Sequence, residues 1–405
     1  MSQGHERWWS GTLTLRVKVQ NLLVVIGLAI AMQYLDYRGA LSQWEGWFLD
    51  IAVLWGPRSL TQTPVIVVKI EDEAYKQFFR SSSPLDPKLL LKIVGNIAML
   101  KPKPAVIGID ILTEQPEYAD VQKQDWFQGV KTVWASAAPT FAPPKSVSFV
   151  GWLFGRRDEM SFQLPTVLGT TALNRDQWGA SLYFPERDLG MRKLTRRLDL
   201  TEDSADLAIW ARQVADAVKP NDDCTDEVLV SYNAPAPHEY KVDDIFACQL
   251  SDGKCSPDKL ERGAFWGEFE KEFQQSRPIV LIGGTYEHRD YPTPIGRQPA
   301  VIIDAYAVQA ELNHTYVKDF PAWLKFMFDI PLGLATGWLV ERFSKRSVRR
   351  GIQISFLVAA TIIVVNVFLI HRGILWFSFA GVAFGAMLER LVDLYIKNPK
   401  TKRAD

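Results

Sequence analysis

Apolar residues fall along this chain in three patterns: compact β-branched blocks, stretches at helical spacing, and long tracts without charge. The block VIVVKI, Val65–Ile70, reads as a buried strand closed by the acidic Glu71, Asp72 and Glu73. Residues 87–100 place Leu89, Leu90, Ile93, Ile97 and Leu100 on one helical face. PAVIGIDIL, residues 104–112, reads as a second buried strand with Asp110 near its carboxyl end. Strand, helix, strand with apolar runs on both strands predicts a right-handed βαβ unit and an α/β domain with a parallel-rich mixed sheet, helices covering both faces.

Further strands are predicted at 131–137, 182–184, 227–232 and 278–282, the last followed by Gly283, Gly284 and Thr285. Helices are predicted at 41–55, stopped by Gly56 and Pro57, at 204–218, stopped by Pro220, and at 304–313. Residues 139–178, rich in proline and glycine, read as long loops or an inserted subregion.

The uncharged tracts predict an α-helical membrane bundle of four spans. Residues 351–370 run 20 positions without a charge, about 30 Å of helix, behind the basic Arg342, Lys345, Arg346, Arg349 and Arg350. The other spans are expected at 19–35, 323–340 and 374–391, the last with Gly381 and Gly385 spaced for close helix packing. For 19–35 a cleaved signal peptide competes, because Ala29-Ile30-Ala31 has the form of a processing site. Asp329 reads either as an interfacial carboxylate or as a functional group within its span. Basic residues then orient the chain. Segments 1–18, 341–350 and 396–405 are expected in the cytoplasm and 36–320 outside, in a bacterial inner membrane with membrane lipid as neighbour.

Charge sharpens that division. The whole chain is formally neutral, yet residues 36–320 carry 31 basic and 40 acidic side chains, which argues against a nucleic-acid partner. Three cysteines, Cys224, Cys248 and Cys255, fall in this region; Cys248 and Cys255 flank a Ser-Asp-Gly turn and are the preferred pair, against the alternative of three buried thiols.

Parallel sheets bind ligands at the carboxyl ends of their strands. That edge is expected to gather Glu71, Asp72, Asp110, Glu114, Gly283, Gly284, Thr285 and Asp290. Carboxylates there could hold a calcium ion or a cationic small molecule; the competing reading is helix capping and loop solvation. G-x-S-x-G, Walker, H-E-x-x-H and zinc-binding spacings are all absent from the sequence, the five histidines are scattered, and neither catalysis nor a cofactor is expected. Asn313-His314-Thr315 matches a glycosylation sequon, a motif short enough to recur by chance.

Four pieces, in order, resemble the type-two CHASE domains, extracellular sensory modules associated with bacterial cyclases and histidine kinases. They are WEGWFLDIAVLWGPR with Asp50, VIVVKIEDEAY, residues 83–116 with Asp110 and Pro116, and VLIGGTYEHRDYPTPIG with Gly283, Asp290, Thr293, Pro294 and Gly296. The chain departs from the family pattern at Asp304, which stands where members usually carry histidine, and over 146–197. The resemblance implies a sensor or receptor that binds a small-molecule or ion signal, with a homo-oligomer among its forms. Because residues 396–405 leave no room for an output domain, a separate cytoplasmic or membrane signalling partner is expected. A non-switching scaffold component of a larger system is the alternative.

Overall fold

A computed structural model describes residues 63–111, 129–136, 207–220, 227–250, 255–286, 290–318 and 348–372, with shorter pieces between 26 and 58, 116 and 198, and 323 and 335. The first half of the domain forms β1 (Val65–Ile70), α1 (Asp72–Gln77), α2 (Pro87–Ala98), β2 (Val106–Asp110), β3 (Lys131–Ser136), β4 (Trp178–Ala180) and α3 (Trp210–Val218). The second half forms β5 (His238–Lys241), α4 (Val242–Ile245), β6 (Phe246–Cys248), β7 (Leu260–Arg262), α5 (Trp266–Gln275) and β8 (Ile279–Gly284). A hairpin of β9 (Asp290–Thr293) and β10 (Gly296–Pro299) leads into α6 (Ala300–Asn313), and α7 (Val348–His371) follows.

Six strands make one sheet in the order β5-β1-β8-β2-β3-β4, and every neighbouring pair is parallel. Alternate side chains of a strand point to opposite faces, so a sheet made of continuous apolar blocks needs cover on both. Ile66, Val68, Ile70, Val280 and Ile282 pack with Leu89, Leu90 and Ile93 of α2 and Phe269 and Phe273 of α5. On the other face Val65, Val67, Ile279 and Leu281 pack with Trp210 and Val214 of α3 and Val301, Ala305 and Val308 of α6. Asp86 starts α2 by accepting from the backbone N–H of Lys88 at 2.9 Å and of Leu89 at 3.4 Å. His314, in the left-handed conformation, ends α6.

Gly108 of β2 is what allows α3 to lie so close. A Cβ there would stand 2.7 Å from Cζ2 of Trp210 and 2.9 Å from a methyl of Leu281. The indole instead lies over the glycine and donates its N–H to the carbonyl of Val133 at 3.1 Å.

Several elements differ from the sequence expectation. The helix expected at 204–218 starts only at Trp210, because Leu207–Ala208 pairs with Arg197–Leu198 as a strand. The strand expected at 227–232 is Glu227–Leu229, in a separate antiparallel sheet with Lys193–Thr195 and Val317–Lys318. Strand β5, His238-Glu239-Tyr240-Lys241, has no apolar block to announce it; backbone pairing to β1 makes it a strand. The strand expected at 182–184 lies outside the described residues.

The four-span membrane bundle is corrected: among the described residues, no helix is long and apolar enough to cross a membrane. The tract at 351–370 is helical within α7, which begins at Val348 and packs Ile362 and Ile363 against the α3–α6 side of the domain core. Asn366 is buried, and the His371 ring lies 3.2 Å from the carbonyl of Trp55. The physical reason is that uninterrupted hydropathy shows that a helix needs cover without showing what covers it; here part of the cover is protein. Residues 374–391, with Gly381 and Gly385, lie outside the described residues, as do most of 19–35 and 323–340.

Cys248 and Cys255 are joined in a disulfide, with Cα atoms 5.7 Å apart, beside the β6–β7 hairpin; Cys224 lies outside the described residues. Loop-closure entropy gives so short a bridge about 2 to 3 kcal/mol, and reduction should lower the stability measured by urea unfolding by that amount. Gly108→Ala should destabilise the domain by about 1 to 3 kcal/mol through overpacking against Trp210, read from the same unfolding curves.

Candidate functional site

After β1 the chain turns into α1, whose Ala74 and Tyr75 join the α2–α5 side of the core. After the neighbouring β8 it passes through the β9–β10 hairpin into α6 on the opposite side. Connections that part in this way leave a crevice between two parallel strand ends, the position at which open α/β sheets accommodate ligands.

The strand registers show which residues meet there. Ile70 pairs with Gly284, Lys69 with Gly283, and Gly283 with Asp110. The backbone N–H of Thr285 donates to the carbonyl of Ile70 at 2.9 Å. Glu71, Asp110, Gly283, Gly284 and Thr285 therefore lie together along three adjacent strand ends. Asp72 is in the first turn of α1, where a carboxylate is stabilised by the helix dipole. Asp290 opens the hairpin, and its backbone carbonyl accepts from Arg297 at 2.8 Å. Glu114 lies outside the described residues. Asp304 is buried on α6, one turn after Val301, which packs against Gly283. At the sequon, the Asn313 side-chain amide donates to the Gln309 carbonyl at 2.6 Å and Thr315 is buried.

Among the described residues, basic side chains join the carboxylates at this edge. Lys69 lies 3.0 Å from Glu71 and 3.1 Å from Glu239, and Lys241 reaches Glu71 at 2.8 Å. Val67 pairs with Glu239 and Lys69 with Lys241, so these ion pairs also hold the polar edge strand β5 in register on β1. Among the described residues, no group of three or more histidine, cysteine or acidic side chains could hold a metal. Sequence reading missed Lys69, Glu239 and Lys241. The available signal was a lysine inside a β-branched block, since a charge held within a sheet needs a partner.

Partial burial by itself would raise the Glu71 carboxyl, but hydrogen bonds and positive charge from Lys241 and Lys69 outweigh it and hold the group below its ordinary value. A carboxyl depressed on folding adds stability above its unfolded pKa and loses it as pH falls through the folded one. Glu71→Gln should therefore cost under about 1 kcal/mol near neutrality, given the exposure of the pair. The difference from the unaltered chain should shrink as pH falls below the ordinary carboxylate range and vanish once the folded state too is protonated, as followed by unfolding across pH.

Comparison with curated proteins and with solved structures returned no match. The CHASE2 domain family matches residues 22–340, well over half of the chain, and it is a family of extracellular sensory rather than catalytic domains. The matched range runs through the parallel sheet, the β1–β8 crevice and α6, and on that footing the chain belongs to the CHASE2 domain family.

Proposed function

We propose that this protein is a sensor whose outward-facing α/β domain takes up a small-molecule or ion signal at the β1–β8 crevice and passes the change to a separate partner. The observation that carries the reading is the parting of the chain after β1 and β8 to opposite faces, at an edge holding both Glu71 and Lys241. A mixed-charge rim favours a ligand that bears both signs, or a polar ligand, over a bare cation. A route for output is also supported. The α6 helix starts against the crevice, where Val301 fills the space beside Gly283, and it shares its core cluster with Ile362 and Ile363 of α7. A signal acts through such a route only if it binds two arrangements of the helices with different affinity.

A thermal-shift screen of the full chain against ions, amino acids and cell-wall fragments tests the reading. A compound at about 100 times its Kd adds about 2.7 kcal/mol to the folded state, a shift of several degrees. The expected result is such a shift for one class of compound, reduced at least tenfold in apparent affinity by Asp110→Asn. Absence of a shift from every class at millimolar concentration would defeat it.

A further inference from the structure

Tyr75 and Tyr286 stack nearly parallel, with ring centroids 4.1 Å apart and 7° between their planes. Tyr75 belongs to α1, which leaves β1, and Tyr286 lies just beyond Thr285, where the chain leaves β8. The two rings thus join the segments that follow β1 and β8, and both lie on the α2–α5 side of the sheet. Gly284 provides the seat: a Cβ there would overlap the Tyr286 ring, so only glycine lets that ring fold back over the strand end. Next to the stack, the Thr285 N–H to Ile70 carbonyl bond extends the β1–β8 pairing past the last strand residue. Tyr286 also packs on the α2–α5 side of the core, close to Tyr118, whose hydroxyl donates to the Leu85 carbonyl at 2.7 Å.

We infer that Tyr75 and Tyr286 form a latch that ties the segments after β1 and β8 together on the α2–α5 side of the sheet, so that a signal entering between the two strand ends must part the rings. The inference rests on the sensor reading for the existence of a signal. The latch itself is testable without one. An offset aromatic stack biases a local opening equilibrium by roughly 2- to 12-fold, and amide exchange reads that bias directly.

Hydrogen exchange followed by mass spectrometry on the full chain compares the unaltered protein with Tyr286→Leu, Tyr75→Leu and the double variant. Leucine keeps bulk in the core while removing the flat ring. The expected result is that each single leucine variant speeds exchange of the 283–286 peptide roughly 2- to 12-fold, while β2 and β3 peptides are unchanged. The double variant should be no faster than the faster single one. Unchanged exchange in the single variants, additive effects in the double variant, or acceleration spread evenly over β2 and β3 would overturn the latch. A chain that passes this test yet responds to no compound in the thermal-shift screen would keep the latch and lose the sensor reading.

Discussion

Insertion of β8 between β1 and β2 is the constraint on which the rest of this domain depends. Its Ile279 and Leu281 face one core cluster and its Val280 and Ile282 the other, so this one strand helps to complete both. Burial of apolar surface drives that insertion, and the continuous apolar runs of all three strands leave no solvent-tolerant face on which the central strand could be spared. The crevice is a consequence. Before β8 is seated, Glu71 and Gly284 are more than 200 residues apart in the chain and share nothing.

The chemistry of the edge follows from a second, weaker set of interactions. The polar strand β5 contributes little apolar surface, with only Tyr240 packed against the core. Its register is held instead by backbone bonds to β1 and by the contacts linking Lys69, Glu71, Glu239 and Lys241. Charged side chains on an edge strand also discourage pairing with other chains. These structural duties draw Glu71 away from the open carboxylate role that suits a calcium ion. They leave a rim of both signs along the β1 and β5 strand ends.

Glycines at the end of β8 show the same economy. Gly283 makes room for Val301 at the start of α6, and Gly284 makes room for Tyr286. Neither vacancy is left for a phosphate or other ligand to approach the backbone, which is the common use of glycine at such turns. Here the two residues bring α6 and an aromatic ring down onto the strand ends, so the surroundings of the crevice and the packing of the domain are one construction.

Taken alone, the sequence determined the elements whose energy is local or whose pattern is extreme. The apolar blocks at 65–70, 104–112 and 278–282 read as buried strands, and the leucines at 87–100 as one core-facing helical side, and the structure places strands and a helix there. Adjacent acidic and glycine residues marked the strand ends, and the family pattern was legible because its pieces keep their order. Tertiary structure decided the remainder. It made a strand of His238–Lys241, whose composition is neutral to the choice; it began α3 at Trp210, after a strand pairing that claims Leu207–Ala208; and it set Ile362 and Ile363 against protein in a helix whose hydropathy predicted lipid. The ion pairs and the tyrosine stack belong with these, since each joins residues brought together only by the sheet. Period and composition report that a side chain needs a partner, and only the folded chain says which partner it gets.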